Sequence, residues 1–185
     1  MPIRWSRVAI CGAILGVTGC GTFVNQDAAR SLRADLGQTT ITVLPMFIRA
    51  GTAGEYDSAA AARLAHFLET SRFGSASVSS ESARITGGWR VNEARMLRES
   101  AADVSRFLER RRPEAAYVAY AEYLLNARGR VVAVHLTVHD RQGRVAYARV
   151  VNSHARLFKD LKPAGRSDCM PLVIRALVED LGHPR

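Results

Sequence analysis

What this sequence has little of narrows it first. A membrane-spanning helix needs roughly 20 consecutive apolar residues, and the apolar run at residues 8–17 is about half that, which excludes a permanent anchor helix there. Lysine is nearly absent: only Lys159 and Lys162 accompany the arginines. There are three cysteines, Cys11, Cys20 and Cys169, too few for a disulfide framework. No G-x-S-x-G nucleophile elbow occurs. A phosphate loop ending in Gly-Lys-Ser/Thr and an H-E-x-x-H helix are also missing. These gaps remove the common signatures of serine hydrolases, nucleotide hydrolases and zinc proteases.

What is present begins at the amino terminus. Arg4 and Arg7 precede the apolar run, small residues follow it, and Cys20 comes next. That is the layout of a secretory signal peptide. Its ending, Val17-Thr18-Gly19-Cys20, resembles the lipobox of bacterial lipoproteins. The resemblance implies cleavage after residue 19 and a lipid on Cys20; an ordinary signal cleaved elsewhere is the alternative. The next residue, Gly21, is not the aspartate of an inner-membrane retention signal, so the expected location is the outer membrane, facing the periplasm. Cys11 then leaves with the signal and Cys20 is acylated, so Cys169 has no intramolecular disulfide partner.

The sequence carries 26 basic and 17 acidic residues. Losing Arg4 and Arg7 leaves a surplus of seven, which suits anionic partners such as lipid headgroups or cell-wall polymers. A GC-rich genome that favours arginine codons accounts for it equally well. Nucleic acid does not fit an exported lipoprotein. The predicted organisation is a signal at 1–19, a lipidated tether at 20–38 and one globular periplasmic domain at 39–185. Residues 21–38 read as a polar tether with a frayed helical turn around Ala28–Leu36, and extended they would reach about 60 Å.

Residues 40–48 (TITVLPMFI) are β-branched and apolar, a buried strand that Pro45 must end, bulge or place at an edge. A loop at 49–56 leads to Asp57, a helix cap, and a helix over 57–71 with Leu64, Phe67 and Leu68 on one side. Residues 75–79 are a weak strand. Gly87-Gly88-Trp89 reads as a turn carrying an aromatic, either a core plug or a binding anchor. A long helix follows over 92–112, striped by Met96, Leu97, Ala101, Val104, Phe107 and Leu108. It ends in Arg110-Arg111-Arg112, favourable against the helix dipole, and Pro113 stops it.

Residues 115–125, 130–140 and 144–152 are three strands joined by Asn126-Ala127-Arg128-Gly129 and Asp140-Arg141-Gln142-Gly143. Asn or Asp first and Gly fourth is the preference of a type I turn, so the segment is a three-stranded antiparallel meander. Alternation puts Val132, Val134, Leu136 and Val138 on its core face, and Ala133, His135, Thr137 and His139 on the other. An irregular connection at 153–166 precedes a final helix, Cys169–Leu181, with Ile174, Leu177, Val178 and Leu181 as its stripe. The fold class is α/β (α+β): a mixed sheet of about five strands covered by about three helices.

That order of elements resembles the amino-terminal domain of the Tol translocation protein, and the lipoproteins that export curli or activate penicillin-binding proteins. The segments that carry the resemblance are TITVLPMF with its helix, PEAAYVAYAEYLL, VHDRQGRVAYARV and the terminal helix. It implies a small outer-membrane lipoprotein with an envelope protein partner. The tether is short beside that of the penicillin-binding protein activators, and the pore hairpins of the curli exporter have no counterpart.

No catalytic residue, cofactor or metal is expected. His135 and His139 lie on one strand face about 13 Å apart, too far to share a metal with bonds of about 2 Å. Glu122, on an apolar strand, reads as half of a structural ion pair, and Cys169 as a small buried residue. The candidate partner-binding residues are Arg110, Arg111, Arg112, His135, His139, Phe158 and Lys159. The expected role is a non-catalytic adaptor or accessory subunit of a cell-envelope complex. A binding module for an anionic cell-wall or lipid component is the alternative; a hydrolase, with only Glu122 to offer as an acid, is the third.

Overall fold

Pro45 cuts the first apolar run in two. The computed structural model, which describes residues 24–51, 53–88 and 92–182, has β1 at Thr40–Val43 and β2 at Met46–Ala50. Both run parallel to the same edge of β5, Tyr117–Leu125. Val43 faces Ala119 and Phe47 faces Glu122, so the first run carries one more residue than its neighbour over this span. This is a bulge at Leu44-Pro45, and it has a purpose. Side chains alternate along a strand, so one extra residue shifts the phase: Ile41 and Val43 before it, and Met46 and Ile48 after it, enter the same core.

The split run meets two different partners outside it. β4, Ser75–Val78, pairs in parallel with β1. β3, Ala53–Asp57, pairs antiparallel with β2. On the other side β5 pairs with β6, Val131–Asp140, and β6 with β7, Val145–Asn152, both antiparallel. The sheet is mixed and ends in the expected meander. Its seven strands are five positions wide, because β1 with β2, and β4 with β3, lie end to end. β3 stands where a loop was expected.

Among the described residues, five α-helices cover the sheet. α1 is Gln26–Asp35, α2 Ser58–Thr70, α3 Glu93–Arg111, α4 Arg156–Leu161 and α5 Cys169–Leu181. The main core joins one sheet face to α1, α2, α4 and α5. α3 covers the other face, with Val104 and Leu108 packed near Leu44, Val118 and Tyr120, and Met96 near Leu124 and Ala133. Expected starts are in place: Asp57 Oδ1 accepts from the Ala60 amide at 2.8 Å and Asn92 Oδ1 from that of Arg95 at 3.0 Å.

Several expectations are corrected. Residues 21–38 are not all tether, since α1 buries Ala28 and Leu32 in the main core. Asn25 caps it and donates its amide to the Val145 carbonyl at 2.8 Å. The segment 153–166 holds a short helix, α4, with Leu157 buried. In β6 a register shift at Leu124/Leu125 lets Val131 enter the main core, while Val132 packs with the Met96 cluster. The second face of the meander is no surface, because α3 lies on it. In α5 the buried residues are Cys169, Met170, Leu172, Val173, Ala176 and Leu177, with Ile174, Val178 and Leu181 only partly covered.

Candidate functional site

The underside of α3 holds a cluster of charged and polar groups that the strands deliver from distant parts of the sequence. Glu122 is wholly buried. Its Oε1 lies 2.7 Å from both Nε and Nη2 of Arg49 on β2. Ser100 of α3 donates to Oε2 at 2.7 Å. His135 on β6 stands opposite, Nδ1 3.5 Å from Oε2, too long for a full hydrogen bond. Burial pushes the carboxyl up, and the contrary pull of His135, Arg49 and Ser100 outweighs it, leaving Glu122 below its ordinary pKa. Arg49 also lies 5.1 Å from the Phe47 ring and donates through Nη1 to the Gly87 carbonyl. The expected ion pair of Glu122 is therefore there, and its partner is Arg49.

His139 is sealed in the same face. Its Nε2 is 3.0 Å from Thr137 Oγ1, and its Nδ1 is 3.3 Å from both Ser105 Oγ and the Gly143 carbonyl. Burial lowers its pKa to about 4. At 1 % and 0 % exposure, His135 and His139 cannot meet a partner, which corrects their place among the candidate binding residues. Gly143 makes this closeness possible: its φ is +79°, and a Cβ there would come within 3.0 Å of the Ser105 carbonyl oxygen.

Residues 79–88 form a strap across this side. Tyr56 donates to the Ala83 carbonyl at 2.6 Å, and the Thr86 amide donates to Asp103 Oδ2 at 2.7 Å. Arg111 Nε reaches Glu81 Oε2 at 2.7 Å. Between the strap, the β1–β4 pair and the end of α3 lies an open groove of about 1020 Å³. Thr40, Thr42, Ser77 and Ser79 give it hydroxyls, Leu44, Val78 and Phe107 apolar surface, and Glu81, Glu114 and Arg111 charge. β4 bounds it, and among the described residues β4 pairs only with β1.

The structure thus separates the predicted residues. Arg110, Arg111 and Arg112 are exposed at the end of α3, with Arg111 in the groove wall. Phe158, half-buried against the main core, and exposed Lys159 belong to α4 on the opposite side of the sheet. Arg49, Ser100, Asp103 and the strap were not anticipated. The one available signal was a lone arginine and a lone glutamate, each inside an apolar strand. Cys169 is buried, its thiol pushed up to about 12 by burial. Val17, Thr18, Gly19, Cys20 and Trp89 lie outside the described residues. No described helix is long and apolar enough to cross a membrane.

No family model and no curated protein matches the chain. Among solved structures, the LpoB C-terminal domain from Salmonella enterica is 12 % identical, covers 67 % of this chain and 90 % of its own, and superposes with a TM-score of 0.35. LpoB of E. coli, solved by NMR, is 14 % identical, covers 82 % and 80 %, and also has a TM-score of 0.35. Neither is a Tol translocation protein or a curli exporter. At this level of superposition the likeness assigns no function.

Proposed function

We propose that this chain is an outer-membrane lipoprotein, acylated at Cys20 and facing the periplasm, that serves as a non-catalytic adaptor or accessory subunit of a cell-envelope complex. One observation carries the adaptor reading. The acid–base groups gathered under α3, Glu122, His135 and His139, are shut away from solvent, whereas the groove beside them is open and bordered by a strand edge that is unpaired among the described residues. Such an edge offers main-chain donors and acceptors to an extended segment of another protein, and the groove offers room for its side chains.

Two measurements test the reading. The mass of the processed amino terminus reports whether Cys20 carries lipid. A photocrosslinking residue at Val78 or Phe107 should join one recurring envelope protein in intact cells, while the same residue at Phe158 should not. A purified chain that turns over an envelope substrate, with nothing crosslinked from the groove, would overturn the adaptor role. The second reading, recognition of an anionic envelope component, is supported by exposed cations that have no acidic partner among the described residues. The groove is not their place, since Glu81 and Glu114 offset Arg111 there.

A further inference from the structure

The two ends of the sheet differ in charge, and the amino terminus enters at only one of them. β1, β4, β5 and β7 all start at the end where β6 finishes. Asn25 is fixed there by its bond to Val145, the first residue of β7. Asn25 is five residue steps from Cys20, a reach of roughly 18 Å when extended. With Cys20 in a bilayer, as proposed above, this end stays beside the membrane. The opposite end stands farther out by the length of β6, about 30 Å for its ten residues.

That outer end is cationic. Arg128 and Arg130 flank Gly129 at the tip of the β5–β6 turn, and both are exposed. Asn126 Oδ1 accepts from both of their amides, at 2.9 and 3.1 Å, so the tip is stiff. Arg98, on the second turn of α3, and Lys159 and Lys162, in the segment that follows β7, are exposed as well. None of these five has an acidic partner among the described residues. Of the acids nearby, Glu99 is paired with Arg95 and Asp160 with Arg156, while Glu93, bonded to the neutral Asn152 amide, leaves one negative charge against these five. At the membrane end, by contrast, Arg33, Arg72, Arg110, Arg112 and Arg141 mingle with Asp35, Glu69, Glu109 and Glu114, close to balance.

We infer that this outer cationic end binds a carboxylate-bearing cell-wall polymer. Arginine matches a carboxylate through paired N–H groups, and polyanion binding needs no apolar anchor. A protein interface would need one, and among the described residues the exposed large hydrophobic side chains, Tyr56 and Val78, lie elsewhere. The inference deepens the second reading above and assigns the polymer to a surface separate from the groove.

The test uses purified peptidoglycan sacculi and the chain from residue 20 with Cys20→Ser, so its outcome does not depend on acylation. Sacculi should sediment the protein at 50 mM NaCl and lose about tenfold in affinity by 300 mM. The Arg128→Gln/Arg130→Gln pair should weaken binding about tenfold without shifting the thermal midpoint. The Arg112→Gln/Arg141→Gln pair, at the membrane end, should change it less than twofold. Sacculi with amidated carboxylates should not bind. Equal losses for the two pairs, binding unaffected by salt or amidation, or binding to phosphatidylglycerol vesicles but not to sacculi would each overturn the inference. Finding Cys20 unmodified would remove the orientation and leave the sacculus result standing.

Discussion

Arg49 Nη2 and Glu122 Oε1 lie 2.7 Å apart on neighbouring strands, 7 % and 0 % exposed. Neither charge has water to fall back on, so removing one strands the other. Arg49→Met should cost about 3–5 kcal/mol in urea unfolding, or on the order of 10 °C in midpoint. Arg49→Met combined with Glu122→Gln should recover much of that loss. A single variant as stable as the parent would show that the pair is not sealed.

Acid should weaken the fold through His139. Its pKa is about 4 when folded, against 6.5 free, so the unfolded chain binds the extra proton between those values. Stability is then full above about pH 6.5 and falls as pH drops toward 4. His139→Gln should flatten this part of the pH profile of the thermal midpoint, whatever it does to stability at pH 7.

Asp57 acts lower on the same scale. It caps α2 and holds Arg166 Nη2 at 2.7 Å. Burial pushes its carboxyl up, but Arg166 and the Ala60 amide outweigh this and set it below 3.8. Its contribution is present above the unfolded value and lost as pH falls through the lowered one. Asp57→Ala should cost about 1–2 kcal/mol at pH 7, and Arg166→Ala less, because α2 keeps its cap.

Leu32→Ala separates a docked helix from a tether. Leu32 is 1 % exposed, and loss of such a buried leucine costs about 2–5 kcal/mol. A tether residue would cost nothing measurable by denaturant titration.

Cys169 gives a clean probe of unfolding. The chain from residue 20 with Cys20→Ser has it as the sole thiol. A buried thiol with a pKa near 12 should resist a chromogenic disulfide reagent at pH 8 until denaturant is added. Rapid labelling of the folded chain would contradict its burial.

Local chemistry was legible and distant chemistry was not. Asn126 and Asp140 announced both meander turns because a type I turn is decided within four residues. Pro45 announced a break in its strand, since it lacks the amide a ladder needs, without deciding between an end, a bulge and an edge. α1 was legible only as a frayed turn around Ala28–Leu36, since just Ala28 and Leu32 mark its buried side and the rest reads as polar linker. The covered face of β6 was missed because α3 comes from some forty residues upstream, and His135 beside Thr137 looks like a wet surface until a helix lies on it. Glu122 was read as an ion pair, but its arginine is 73 residues away.

The break at Pro45 has one more effect. It divides the outer border of the sheet between a four-residue and a five-residue strand, β4 and β3, running in opposite directions. Each can take up a short extended segment, but the two offer no continuous edge along which a second copy of the sheet could pair over its whole width. A chain confined to a membrane plane collides with its own copies far more often than one in bulk solution. Two short, opposed border strands would let copies crowded in a membrane plane by the acylation proposed above meet without a common edge along which to fuse into cross-β stacks.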